Sequence, residues 1–362
     1  MEAARHQSTA RTEPTAGVAA RPFALAKSGL PLLLTPEGDA RLTVLVDYLR
    51  DRRAWVRDQL RDHGAILMRG FDVSTPADFE SVARAIDDEL KNEYLGTSPR
   101  DALTSHVFNA SELPGFYPIP QHCEMTFVKN HPRRIFFCCL VAPEHGGETP
   151  LVDFRRVHAD LDPGVVRRFE ERGIKIIRNY SGPDGGGKLD FWKLKPWHEM
   201  FMTKDRGAVE ETCRREAFEP TWSDGGKLRL VSRHVPVKHH PETGEPVWFN
   251  HSLVFHLSAA PGEYRRIYSR RRDFRSFFFW QLSRALVALK KGRPAEDQAM
   301  HCTYLDGAEI PAADMEHLRD VVWRNLVVFP WQRGDVVAID NHSVGHGRLP
   351  YHGPRHVIVC WS

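Results

Sequence analysis

The chain holds 19 histidines and 47 acidic residues, and neutral imidazole is the commonest metal-ligating side chain. The first chemistry to look for is therefore a metal centre. A His-x-acid spacing is a weak sign alone, since roughly 2.5 such pairs arise by chance at this composition. Three occur: His122-Cys-Glu124, His158-Ala-Asp160 and His240-Pro-Glu242. His158 falls in a charged, helical stretch, where residues i and i+2 diverge, and His240 in a proline-flanked turn; both read as solvated polar residues. His122 follows Pro118-Ile-Pro120 and leads into the strand-like Met125-Thr-Phe-Val128. On an extended chain i and i+2 share a face, so His122 and Glu124 can grip one ion together. A second histidine from a distant strand completes a two-His, one-carboxylate face with three open positions, the donor set of non-haem Fe(II) oxygenases. That histidine is sought in Asp340-Asn-His-Ser-Val-Gly-His346-Gly-Arg-Leu-Pro-Tyr-His-Gly-Pro-Arg355, a polar segment after a strand. His346 and His342 compete for the role.

Patterning shows the elements that must hold these residues. Ala40 to Asp62 reads as helix, with Leu42, Val44, Leu45, Tyr48 and Leu49 at helical spacing. Gly64 to Gly70 is a short apolar strand, and Thr75-Pro76 an N-cap followed by proline that opens a helix through Ile86. Ile135-Phe-Phe-Cys-Cys-Leu-Val141 reads as a strand buried on both faces, with Cys138 and Cys139 as small core residues. Further strands are expected at 173–180, 228–237, 246–249, 326–329, 335–339 and 356–361. The class is mainly β with helical elaborations: a double-stranded β-helix, or cupin-like jelly roll, flanked by α-helices.

Composition narrows the reading. Fifty Lys+Arg against 47 Asp+Glu leave a net charge of +3, so no overall imbalance points to a polyanionic partner. No apolar run reaches membrane-spanning length. Six cysteines without a CxxC pair argue against a disulfide scaffold or zinc ribbon and for a reducing cytoplasm. Residues 1–21 read as a flexible tail without a secretory signal, and 22–362 as one domain. Within it a glycine-rich lid loop is expected near 182–200, with Phe191, Trp192 and Trp197 as apolar cover, and a helical insertion near 262–291.

Five segments give the sequence a family resemblance: Gly64-Ala-Ile-Leu-Met-Arg-Gly-Phe71, His122-Cys-Glu124-Met, Gly146-Gly-Glu-Thr149-Pro, Val247-Trp-Phe-Asn250, and Phe329-Pro-Trp-Gln-Arg-Gly-Asp-Val336 through Arg355. In this order they resemble the TauD/TfdA-type 2-oxoglutarate-dependent dioxygenases, most closely the SyrP-like branch of natural-product biosynthesis. The resemblance implies that His122, Glu124 and His346 bind Fe(II). It implies that Thr149 hydrogen-bonds the co-substrate carboxylate nearest the metal, and that Arg355 holds the far carboxylate of 2-oxoglutarate, with Arg348 as runner-up. A guanidinium suits that task by its bidentate match to a carboxylate. Most TauD-type enzymes carry aspartate in the proximal pair; Glu124 is shared with the SyrP-like and clavaminate-synthase-like branches. Halogenases of this group lack the carboxylate, so Glu124 argues against halogenation. The implied reaction consumes O2 and 2-oxoglutarate, yields succinate and CO2, and oxidises an unactivated C–H bond, with hydroxylation as the default outcome. The expected substrate is an amino-acid-derived small molecule. Alternatives are a substrate tethered to an acidic carrier protein, or a macromolecule.

Other features rank below these. Gly182-Pro-Asp-Gly-Gly-Gly187-Lys188-Leu189 nearly matches a phosphate-binding loop, but Leu189 stands where the Mg2+-binding hydroxyl belongs. Arg265 to Trp280 mixes arginines with aromatics; it reads as an amphipathic helix with solvated arginines, or as a dock for an anionic carrier, ahead of a nucleic-acid patch. Asn250, Asn109, His106 and Trp197 are candidates for substrate contact, each with a hydrogen-bonded structural role as the alternative.

Overall fold

The structure, a computed structural model, describes residues 17–23, 29–95, 101–111, 113–183, 194, 196–223 and 225–362. Most of the expected tail and lid loop thus lies outside the described residues. The last part of the stretch read as tail forms a strand, β1 (Val18–Pro22), antiparallel to β2 (Leu32–Pro36). The helical pattern over 40–62 is two helices, α1 (Leu42–Asp51) and α2 (Arg53–His63), because Arg52 at φ −113°, ψ 25° leaves the helical range. Both turn an apolar face inward, Leu45, Val46 and Leu49 on one and Val56 and Leu60 on the other. After β3 (Ala65–Met68), helix α3 (Pro76–Ile86) opens on a capping box. Thr75 Oγ1 accepts from the Asp78 N–H at 3.1 Å, and Asp78 Oδ2 accepts from the Thr75 N–H at 2.9 Å.

Five strands follow: β4 (Phe108–Asn109), β5 (Ile119–His122), β6 (Arg134–Val141), β7 (His145–Gly146) and β8 (Leu151–Asp153). Helices α4 (Phe154–Asp160) and α5 (Pro163–Arg172) lead to β9 (Ile174–Tyr180). Next come α6 (Trp197–Met200), α7 (Arg206–Glu216), β10 (Glu219–Trp222), β11 (Leu228–His234), β12 (Val237–His239) and β13 (Pro246–Trp248). A helical region, α8 (Ser252–Phe255), α9 (Ala259–Arg271) and α10 (Phe274–Lys290), precedes β14 (Met300–Tyr304) and α11 (Ala312–Arg324). The chain closes with β15 (Val336–Asp340), β16 (Val344–Arg348), β17 (Tyr351–His352) and β18 (His356–Trp361).

Three sheets dominate this mixed, sheet-rich fold. The largest runs β1-β2-β3-β15-β6-β18-β4, a second β10-β11-β9-β14, and a third β5-β16-β8. Strands β6, β15 and β18 lie inside the largest sheet and alternate between two apolar clusters. Phe136, Cys138, Val336, Ala338, Ile358 and Cys360 face the layer of α1 to α3, while Ile135, Phe137, Cys139, Val337, Ile339 and Val359 face the main core. That double burial is why these strands read as continuous apolar runs.

Several sequence expectations change. Met125 to Val128 is not a strand: β5 ends at His122, and the chain turns with Met125 at φ 52°. The strand expected at 326–329 is reduced to one bridge, Leu151 to Val327. The segment 265–280 is split where Arg272 adopts φ 55° and Asp273 caps α10 by accepting from the Ser276 N–H. Its arginines are not all solvated, because Arg265 and Arg266 pair with Glu316 and Asp320 on α11, and Arg266 is buried. His240 is not solvated either; it is buried, with Nε2 2.9 Å from Asp340 Oδ2. Among the described residues, no helix is long and apolar enough to cross a membrane.

Candidate metal centre and co-substrate cradle

Strand β16 lies between β5 and β8, and the register sets His346 directly opposite His122. Cross-strand partners on one face bring their side chains together, and the two imidazole centroids are 4.6 Å apart. The Gly345-His346-Gly347 sequence permits this approach. A Cβ at Gly345 would meet Phe154 Cε2 at 2.2 Å, and one at Gly347 would meet the Ile119 carbonyl at 2.6 Å.

Glu124 reaches the same place by another route than the extended spacing suggests. The chain leaves β5 at His122 and turns, and Asn341 fixes that turn across the molecule. Asn341 Oδ1 accepts from the Glu124 N–H at 2.6 Å, while Nδ2 donates to the Glu124 carbonyl at 3.0 Å and the Pro132 carbonyl at 2.8 Å. The Glu124 carboxylate then stands 3.6 Å from His346 Nε2, and the Tyr94 hydroxyl donates to Oε1 at 3.3 Å. His122 Nδ1 donates to the Pro120 carbonyl at 2.8 Å, which leaves the lone pair on Nε2. Ligand-capable atoms of His122, Glu124 and His346 all lie within 4.8 Å of one another, on buried residues. Two imidazoles and a carboxylate converging this way fit an Fe(II) ion with open positions. His342 stands outside the cluster, its ring against His131 and His240.

Apolar and aromatic groups close in around the triad. Phe137 packs on His346 at 4.8 Å, and His251 on His122 at 5.0 Å. The Thr126 hydroxyl lies 2.6 Å from His251 Nδ1. Burial holds the His251 pKa well below its ordinary value.

Beside the triad, Thr149 and Arg355 meet. Arg355 Nε donates to the Gly147 carbonyl at 2.9 Å and Nη2 to Thr149 Oγ1 at 3.4 Å; Trp331 Nε1 also donates to Thr149 Oγ1, at 3.1 Å. Burial, then the neighbouring Arg348, lowers the Arg355 pKa to about 10, so the guanidinium stays charged at neutral pH. Arg348 is occupied elsewhere: its Nη atoms donate to the carbonyls of Leu113, Pro114 and Tyr117 at 2.7 to 2.9 Å. It straps the segment before β5.

The structure does not gather the proposed substrate residues at one point. Asn250 donates to the Pro236 carbonyl and accepts from the Ser252 N–H, spending both ends of its amide on backbone next to His251. Asn109 Oδ1 accepts from His356 Nε2 at the edge of the largest sheet. His106 contacts Arg84 and Glu80 on α3. Trp197 is buried, with Nε1 donating to the Gly226 carbonyl and the ring against Trp222. Phe191, Trp192 and Lys188 lie outside the described residues. Asn341, Tyr94, His251 and Trp331 escaped the sequence reading. The signal for Asn341 was its place in the polar segment that carries His346 and follows a buried strand.

Comparison with known proteins fits this geometry. A family model described as "Taurine catabolism dioxygenase TauD, TfdA family" matches residues 27–361. The dapdiamide synthesis protein DdaC of Enterobacter agglomerans is 29% identical over 301 residues, 83% of this chain and 82% of that protein. A clavaminate synthase-like protein of Arabidopsis thaliana is 29% identical over 330 residues, covering 88% and 87%. In fold, the chain is similar to PvcB from Pseudomonas aeruginosa, with TM-score 0.51, 15% identity and coverage of 95% and 90%. A second PvcB structure, described as an Fe, alpha-ketoglutarate dependent oxygenase from an isonitrile synthetic pathway, gives TM-score 0.50 at 14% identity, with the same coverage. The match over 27–361 carries the assignment: the chain belongs to the TauD/TfdA family and is an Fe(II)- and 2-oxoglutarate-dependent dioxygenase.

Proposed function

We propose that this dioxygenase hydroxylates an unactivated C–H bond of an amino-acid-derived small molecule in specialised-metabolite biosynthesis, as a member of the SyrP-like, His-x-Glu branch. The observation that carries the reading is the His122–His346 cross-strand pair with the Glu124 carboxylate beside it. The name of the dapdiamide synthesis relative supports the metabolic setting, and a carboxylate at position 124 favours oxygenation over halogenation. The largest sheet faces the β5-β16-β8 sheet through the Phe137–His346 contact, an arrangement that supports a double-stranded β-helix core. Six free, buried cysteines support a cytoplasmic setting.

In this reading His122, Glu124 and His346 hold Fe(II), which when bound with 2-oxoglutarate supplies O2 activation and releases succinate and CO2. The chain's own part is to bind, orient and keep water out. Arg355 anchors the far carboxylate of 2-oxoglutarate through charge-assisted hydrogen bonds. Thr149 Oγ1 already accepts from Trp331 and Arg355, so its own hydrogen is directed to the near carboxylate. Phe137, Phe127 and His251 exclude water from the reacting region.

The test is co-substrate turnover. Protein supplied with Fe(II), ascorbate, 2-oxoglutarate and a panel of amino acids, free and thioester-linked, should form succinate by mass spectrometry, and Glu124→Ala should form none. Succinate formation retained in that variant would overturn the ligand assignment. One observation favours thioester-linked substrates as a second reading. Helix α10 exposes Phe274, Phe278, Leu282 and Leu289 beside Arg272 and Arg284, a surface suited to an acidic carrier protein. Turnover of free amino acids with none of the thioesters would reject it.

A further inference from the structure

We propose that Arg178 is a second anion anchor in this protein and receives a carboxylate of the substrate. The inference deepens the dioxygenase reading above and rests on it for the identity of the reaction. Arg178 lies on β9, an inner strand of the β10-β11-β9-β14 sheet, and its residue is 1% exposed. Its Nε and Nη2 have no hydrogen-bond partner, and no carboxylate among the described residues pairs with it. The guanidinium packs instead on two rings, 4.5 Å from the Phe127 centroid and 4.7 Å from that of Phe218. A guanidinium cannot escape its charge by losing a proton, and a buried charge without a counter-charge is costly. Rings offset part of that cost but accept none of the in-plane N–H bonds.

Two further polar groups on this sheet face lack partners among the described residues. Tyr180 shares a face with Arg178 by strand alternation, and Ser232 stands opposite Ile176, one step diagonal to Arg178. Ser232 Oγ is buried without a partner among the described residues, as is His234 Nε2 at the end of β11, while the Tyr180 hydroxyl is within reach of the Arg178 guanidinium itself. Native proteins leave few such groups unmet, and a group of them on one face marks something absent that they would bind. A fork of N–H donors with the Ser232 hydroxyl beside it matches a carboxylate in chemistry.

The anchor is tied to the reaction centre by packing. Phe127, which supports Arg178, lies three residues after Glu124, and its ring is 4.9 Å from His251, which in turn is 5.0 Å from His122. Arg178 is distinct from Arg355, which meets Thr149 on the β7–β8 side of the triad. Two separate cations therefore serve two separate carboxylates, one on the co-substrate and one on the substrate.

The test uses protein loaded with redox-silent Mn(II) and saturating 2-oxoglutarate, so that the place at Arg355 is filled. Free L-amino acids N-acetylated at the amine, and the matching neutral primary amides, are titrated by calorimetry and thermal shift. At least one acid should bind about tenfold or more tightly than its amide, as charge-assisted hydrogen bonds to the guanidinium require. Arg178→Met should erase that preference, leave Mn(II) and 2-oxoglutarate binding within twofold, and unfold at the same or a higher temperature without ligand, since it removes an uncompensated buried charge. The proposal is overturned if wild-type protein binds no acid better than its amide, or if Arg178→Met keeps the preference. It is also overturned if that variant, ligand-free, loses its melting transition or melts well below wild type while Arg178→Lys, which keeps the cation without the fork, binds acids as wild type does. Failure of wild-type protein to bind 2-oxoglutarate would sink the dioxygenase reading instead, and the acid-against-amide comparison would still judge Arg178.

Discussion

Asn341→Ala removes a side chain that holds a proposed iron ligand by its backbone. Asn341 is fully buried, and its amide satisfies the Glu124 N–H, the Glu124 carbonyl and the Pro132 carbonyl. Truncation leaves one donor and two acceptors unmet away from water. Each unmet buried group costs about 1–3 kcal/mol, and partial relaxation of the turn brings the expected loss of stability to about 4 kcal/mol. The more telling effect is on the metal. Residues that orient ligands typically change affinity about 10- to 100-fold, and Glu124 leaves β5 through a turn whose path Asn341 defines. Urea unfolding of metal-free protein measures the first effect, and calorimetric titration with Co(II) or anaerobic Fe(II) the second. Asn341→Asp keeps the shape but sets a carboxylate oxygen 2.8 and 3.0 Å from two carbonyls, so it should lose metal affinity as well. Metal affinity within twofold of wild type in both variants, whatever their stability, would refute the positioning role.

Other outcomes follow from the same geometry. Arg355→Gln should raise the KM for 2-oxoglutarate about 10- to 100-fold, with a smaller change in kcat, because it removes a charged anchor rather than a reacting group; initial-rate kinetics check this. Gly347→Ala should cost about 2–4 kcal/mol in urea unfolding, since its Cβ would sit 2.6 Å from the Ile119 carbonyl where β16 approaches β5. Burial lowers the pKa of His131 to about 3 and of His234 to about 4. The unfolded chain therefore takes up protons near pH 6.5 that the folded chain refuses. Stability of the metal-free protein should fall on acidification between pH 6.5 and 4, by about 1.4 kcal/mol per pH unit for each of these histidines. His234→Phe should flatten that slope in urea titrations from pH 7 to pH 4.5.

The meeting of His122, Glu124 and His346 was legible in the sequence, but part of the reason for it was not. The second histidine does come from a distant strand, although His122 ends its own strand rather than leading into one. Glu124 reaches the site because of a left-handed turn at Met125 and an asparagine 217 positions away, and neither follows from an i, i+2 rule. His240 looked solvated in its proline-flanked turn because its partner Asp340 lies 100 residues on. The strands around Cys138 were visible since burial on both faces leaves a continuous apolar run, whereas the bend at Arg272 left no mark in hydrophobicity. Arg178 sits in alternation with Ile174, Ile176 and Tyr180, a pattern that already put a cation on the inward face of its strand. What the pattern alone could not show was that no acid among the described residues answers it.

Strand β16 has a consequence for how the protein is made. Its neighbours β5 and β8 are synthesised some two hundred residues earlier, so during translation they present unfilled edges with a gap between them. Iron held as proposed by His122, Glu124 and His346 can be gripped by all three only after His346 leaves the ribosome. On that proposal metallation follows the docking of β16, and until β16 slots home the nascent chain depends on its other contacts, or on chaperones, to keep the gap from being filled by the wrong strand.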